Sequence, residues 1–156
     1  MYRTKCTTFI IRWKTWNRRK KIILGGKELK GEMSFTYHID SSAGILFIVG
    51  EGAITQAERL DTMRAWLSDP DYRPGLHTLC DFSRATSTPS LPDLREIIAI
   101  INQNAPLIGR KKLAVVATKA STFGVARQFE VLAEATSLNV EIFTDREAAI
   151  AWLRED

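Results

Sequence analysis

The chain has 156 residues, 45% of them hydrophobic and 26% charged. That length suits one domain with a core of its own, and the balance is that of a globular protein rather than a disordered or fibrous one. The net charge of +4 hides a split: residues 1–32 hold ten Lys or Arg against two Glu, a net +8, whereas residues 33–156 hold twelve bases against sixteen acids, a net −4. A basic footprint for nucleic acid is therefore not carried by residues 33–156. Two cysteines, Cys6 and Cys80, with no CxxC spacing exclude a disulfide framework. The longest apolar run, GILFIVG, fits one strand and is far short of a membrane span.

The chain opens on a basic arm. Its segment IIRWKTWNRRKKIIL mixes Trp13 and Trp16 with Arg and Lys, a combination suited to a membrane surface or a nucleic acid. The apolar stretch FII is broken at once by Arg12, which argues against a secretory signal and for a cytoplasmic protein. Lys30-Gly31-Glu32 before Met33 can be encoded as AAA GGA GAA, a purine run like a bacterial ribosome-binding site. We therefore expect residues 1–32 to be either a translated upstream region, with Met33 as the native start, or a genuine arm that is disordered. The domain itself is expected over 33–156.

From Ser34 onward the chain alternates strand and helix. FTYHI puts Phe35, Tyr37 and Ile39 on one face at period two, the mark of a half-buried strand. DSSAG is turn chemistry, and ILFIV follows as a fully apolar strand, so the two form a hairpin. Thr55 and Glu58 make a T-x-x-E capping box, and Leu60, Met63 and Leu67 recur at helical spacing until Asp69-Pro70 stops the helix. LHTLCDF is the next strand, and the hydroxyl-rich DFSRATSTPS leads out of it. Ser90, Pro92 and Asp93 open a second helix with Leu94, Ile97, Ile98 and Ile101 inward. KKLAVVA reads as a short buried strand. Ser121 or Thr122 is expected to cap a third helix with Val125, Phe129 and Leu132 inward. VEIF is the last strand, and Thr144 with Glu147 repeats the T-x-x-E cap before a C-terminal helix holding Ala148, Trp152 and Leu153. The order ββαβαβαβα requires crossovers, so the expected fold is a single α/β domain: a mixed, mostly parallel sheet with an N-terminal hairpin at its edge.

In open α/β sheets ligands bind beyond the carboxyl ends of the strands. That rule picks a candidate ligand rim of Asp81, Arg84, Lys119, Ser121, Thr122, Phe123 and Arg127. The same hydroxyls are also ordinary helix caps. A phosphate on Ser87, Thr88 or Ser90 would meet the free N–H groups of the following helix, although a solvated loop with a Ser90 cap explains the same residues. TKASTFG lacks the G-x-x-x-x-G-K-[ST] pattern of a phosphate loop. His38 and His77 fall in strands without metal-ligand spacing. There is no G-x-S-x-G elbow, and Asp40, Glu51, Asp81 and Asp145 show no partner for acid–base work. No catalytic residue, metal site or cofactor is expected. Phe47, Trp66, Phe123, Phe129 and Trp152 are expected to fill the core between sheet and helices, with the lining of an apolar pocket as the alternative.

KKLAVVATKASTFGVARQFEVLAE followed by VEIFTDREAAIAWL resembles the C-terminal half of SpoIIAA-like domains of STAS/SEC14 type, small bacterial proteins with a hairpin followed by βα units. The likeness runs from about Ser34 to the end. It implies the SpoIIAA-like fold and two functions. One is a non-enzymatic regulatory module of STAS type that binds a protein partner and is switched at a hydroxyl after the third strand. The matching region here is DFSRATSTPSLPDL, with Ser87, Thr88 or Ser90 in place of the family's D-S-S-G. The other is a carrier of a small apolar or lipid-like ligand between sheet and helices. An enzyme with an unrecognised site at the strand ends is the remaining alternative, and a homodimer is compatible with all three.

Overall fold

The computed structural model describes residues 34–155 and, ahead of them, two dipeptides in strand conformation, β1 (Ile23–Leu24) and β2 (Lys27–Glu28). These two pair antiparallel, Ile23 with Glu28 and Leu24 with Lys27. Beyond that ribbon, the expected disordered or upstream character of residues 1–32 lies outside the described residues. Residues 1–32 and 33–156 form separate units, and the larger unit is described by itself below.

Its sheet has five strands: β3 (Phe35–Asp40), β4 (Ile45–Gly52), β5 (His77–Ala85), β6 (Lys111–Val116) and β7 (Leu138–Phe143). They lie side by side in the order in which they occur in the chain. β3 pairs antiparallel with β4, and the remaining pairs are parallel. This is the mixed sheet expected from the alternation of elements. The connecting helices are α1 (Gln56–Leu67), α2 (Leu91–Gln103) with the one-turn α3 (Ala105–Ile108), and α4 (Ala120–Ala133), and α5 (Arg146–Arg154) closes the chain.

Side chains alternate across a strand, so the register fixes two faces. One carries Phe35, Ile48, Thr78, Cys80, Lys111, Leu113, Val115 and Leu138, and is covered by α1, α2 and α4. The other carries Phe47, Leu79, Asp81, Ala114 and Phe143 and receives α5, whose Trp152 ring lies 5.7 Å from that of Phe143.

Four local expectations are corrected. β5 runs on to Ala85, so Ser83 and Arg84 belong to the strand and only residues 86–90 form the loop. β4 extends with it past a register shift between Val49 and Glu51, giving the extra residues a partner. α4 starts at Ala120 with Lys119 at its N-cap and no side-chain cap bond. Ser121 and Thr122 are thus inside the first turn, and Thr122 is turned into the buried stripe. α5 is capped by Asp145, which accepts from the Ala148 N–H at 2.9 Å, in place of Thr144. A carboxylate there answers the helix dipole as well as the free N–H. The buried face of α1 includes Arg59 and Trp66 with Leu60 and Met63, while Leu67 is only partly buried. The expected capping box at Thr55–Glu58 forms, and Ser90, expected to open α2, caps it in a box with Asp93.

Candidate ligand-binding cavity

Between the sheet and the three connecting helices lies a cavity of about 150 Å³. Strand parity supplies its floor: Phe35, Ile48, Cys80, Phe82, Leu113, Val115 and Leu138. α1 contributes Arg59, Met63 and Trp66; α2 contributes Leu94, Ile97 and Ile101; α4 contributes Thr122, Val125, Ala126 and Phe129. The α4 stripe is built from small residues, with Ala126 and Ala133 buried, which leaves room beneath the helix.

The two ends differ. Where β5 runs out, Ser87, Thr88 and Pro89 line the cavity, and Thr88 is exposed, so the cavity reaches the surface there. At the start of β5 and β6 it is closed by Thr78, Ile108 and Lys111, all buried. Four residue steps along β5 lead from Thr78 to Phe82, about 13 Å at ordinary strand rise.

Near the mouth, Gly50 makes the packing of Phe82 possible. A Cβ on Gly50 would lie 2.5 Å from Ile54 Cδ1 and 2.8 Å from Phe82 Cδ1. With Gly there, the Phe82 ring stacks on Phe35 at 6.0 Å between centroids and 3° between planes. Ser87 ties the loop down. Its hydroxyl accepts from the Ile54 N–H at 2.7 Å and donates to the Ile54 carbonyl at 3.0 Å.

Among the described residues two cations are embedded in this apolar lining. Arg59 is 8% exposed. Burial pulls its guanidinium below the usual arginine range, and the charges of Asp93 and Glu58 oppose the shift. Lys111 is 6% exposed. Its ammonium donates to Thr78 Oγ1 at 2.9 Å and lies 5.1 Å from the Trp66 ring centroid and 5.8 Å from that of Tyr72. Among the described residues it has no carboxylate within ion-pair distance. Burial lowers its pKa to about 8, with Cys80 opposing. The Cys80 thiol is itself pushed up to about 12 by burial. The next residue, Lys112, points to the other face, where its ammonium takes the Trp152 and Glu155 carbonyls at 3.1 and 2.5 Å. That satisfies the last turn of α5, the usual use of a lysine at a helix C-terminus.

The candidate rim at the strand ends does not assemble around this cavity. Asp81 is buried on the opposite face, accepting from Ser83 N and Oγ at 3.0 and 2.6 Å, with Arg146 Nε at 3.8 Å. Arg84 pairs with Glu51 at 2.5 Å. Lys119 donates to the Ala85 carbonyl at 2.7 Å, and Ser121 is exposed. Arg127 lies 5.8 Å from the Phe123 ring and pairs with Glu130. Of the seven, Thr122 alone lines the cavity. The physical reason is topological: ligand crevices at strand ends form where the strand order reverses, and this sheet runs in unbroken sequence order.

Of the three loop hydroxyls, Ser87 is occupied as described, and Ser90 caps α2 by accepting from the Asp93 N–H at 3.3 Å. Thr88 is exposed and has no side-chain hydrogen bond among the described residues. His77 Nδ1 accepts from the Lys112 N–H at 3.0 Å, which makes it a structural residue where β5 and β6 begin. Among the described residues no group of three or more His, Cys, Asp or Glu is placed to hold a metal ion, and no helix is long and apolar enough to cross a membrane.

No family model matches the chain, and no curated protein does. A solved structure does. It is the crystal structure of an uncharacterized protein from the DUF3478 family with a SpoIIAA-like fold, from Shewanella loihica PV-4. The TM-score is 0.52 at 15% identity, over 76% of this chain and 91% of that one. The fold is SpoIIAA-like. At such low identity the likeness carries the architecture alone, so what the SpoIIAA-like domain described here does must be argued from its own cavity.

Proposed function

We propose that this SpoIIAA-like domain is a non-enzymatic binding module whose cavity holds one small, mainly apolar molecule. The observation that carries this reading is the void of about 150 Å³ in the place where core side chains of both layers should meet. Protein interiors pack about as densely as organic crystals, and each unfilled contact costs stability. An engineered apolar cavity of about this size admits benzene, so the volume suits a single ring or a short alkyl chain.

The test is ligand binding by the purified protein. Toluene near saturation is expected to raise the unfolding midpoint by a few degrees, and glycerol at the same concentration is expected to leave it unchanged. Native mass spectrometry of protein from its host is expected to show a co-purified small molecule. No toluene shift together with no co-purified species would remove the carrier reading.

A regulatory reading keeps one specific observation in its favour. Thr88 is at once exposed, free of side-chain bonds among the described residues, and part of the cavity lining at its mouth. A phosphate there would sit two residues before the α2 cap, near free N–H groups. Thr88→Glu is then expected to change toluene affinity by several-fold, and an unchanged affinity would count against the switch.

A further inference from the structure

We infer that the closed end of the cavity is an anion site, formed by the Lys111 ammonium and the Thr78 hydroxyl, and that the ligand is a small apolar monocarboxylic acid bound carboxylate-first. The inference rests on the reading of the cavity as a ligand site and adds the chemistry of the head group.

A cation taken out of water is costly unless it is paired. Lys111 is buried, and its one side-chain hydrogen bond among the described residues goes to the neutral Thr78 hydroxyl. Trp66 and Tyr72 offer ring faces to the ammonium, which are weaker partners than an anion. Arg59, the other cation on the lining, already feels the charges of Asp93 and Glu58. No carboxylate acts on Lys111 in that way among the described residues, so the cation left without an anion at the closed end is the Lys111 ammonium. An ammonium has three donors, so it can keep Thr78 and still give a charge-assisted bond to a carboxylate oxygen. Thr78 Oγ1 accepts from Lys111, leaving its own proton free for the second oxygen. The distance of about 13 Å from this end to the level of Phe82 leaves a short apolar tail lying along the cavity floor, toward the mouth.

A matched pair of probes tests this: hexanoate and 1-hexanol, titrated by heteronuclear NMR at pH 7 into the full-length protein and into Lys111→Met. The wild type is expected to bind hexanoate at least tenfold more tightly than 1-hexanol. Lys111→Met is expected to lose that preference while still binding 1-hexanol. Lys111→Gln, which keeps a donor without the charge, is the second variant and is expected to behave like Lys111→Met. If neither probe binds the wild type, both the cavity reading and the anion site fall. If 1-hexanol binds as tightly as hexanoate, the anion site falls and the cavity reading stands. If hexanoate is preferred by the wild type and equally by both variants, Lys111 is not the anchor and the inference is overturned.

Discussion

The Lys111 ammonium lies 5.1 Å from the centroid of the Trp66 ring, within the layer between β6 and α1. A positive charge is thus enclosed by an aromatic face, a threonine hydroxyl and apolar side chains. The electrostatics of the core follow from this one placement.

The first consequence is a pH dependence. Burial depresses the Lys111 pKa from 10.5 to about 8. Below about 8 it is charged in both the folded and unfolded chain, and the folded state bears the full penalty. Above 10.5 it is neutral in both, and the penalty is gone. Stability attributable to Lys111 therefore rises between these limits, by ~3 kcal/mol in all. Cys80 and Tyr72 act in the opposite sense, since burial raises both to about 12, from 9.0 and 10.0. They favour the folded state below their ordinary values and lose that contribution as pH rises. Urea unfolding of wild type and Lys111→Met from pH 7.5 to 10 separates the two. The stability of Lys111→Met relative to wild type is expected to fall as pH increases. A difference that stays constant would mean that Lys111 keeps an ordinary pKa.

Filling the void is expected to be tolerated. Ala126 is buried and lines the cavity from α4. Ala126→Leu places three more carbons there. In a filled core such a change costs about 1–3 kcal/mol. Here the unfolding free energy is expected to stay within about 1 kcal/mol of wild type, with toluene and hexanoate binding abolished. A larger loss of stability would show that the space beneath α4 is already taken.

Gly50 is expected to resist even the smallest side chain. Gly50→Ala must displace both the Ile54 side chain and the Phe82 ring, which line the cavity. Overpacking of this kind costs about 1–3 kcal/mol. Chemical denaturation measures the cost, and near-UV circular dichroism should register a disturbed Phe35–Phe82 stack.

The loop hydroxyls are expected to separate by mutation. Ser87→Ala leaves the N–H and C=O of Ile54 without their partner, at about 1–3 kcal/mol for a buried polar group left unmatched. Thr88→Ala is expected to change stability by less than about 0.5 kcal/mol, as at other exposed positions. Thermal unfolding of the two single variants checks both values. Equal losses would contradict the different roles assigned to the two side chains.

The order of elements, the antiparallel edge, the Thr55–Glu58 box and the Ser90 cap were legible because each rests on local chemistry. Phe35, Tyr37 and Ile39 alternate; Thr55 and Ser90 stand three residues ahead of an acid; Asp69-Pro70 ends a helix. The site was less legible. KKLAVVA reads as an apolar strand with a basic flank, yet its own period of two already puts Lys111 on the face of Leu113 and Val115 and Lys112 on the face of Ala114. What that parity leaves open is which face meets the three connecting helices, and this is set by the handedness of the crossovers rather than by any local pattern. Arg59 was missed for a similar reason: Leu60, Met63 and Leu67 define a stripe, but the buried arc of α1 is rotated to take in Arg59 and Trp66. The strand-end rim was expected from a rule that needs a reversal in strand order, and strand order is not written in any local pattern.

The cavity also makes the domain a compressible object. Space enclosed by a fold and lost on unfolding lets hydrostatic pressure favour the unfolded chain, by volume changes on the order of tens of mL/mol. The void beneath α4 is then the place where pressure acts first, by squeezing the helix layer onto β5 and β6 or by driving solvent in past Thr88. An occupant that fills it would make the domain mechanically stiffer without altering a single backbone hydrogen bond.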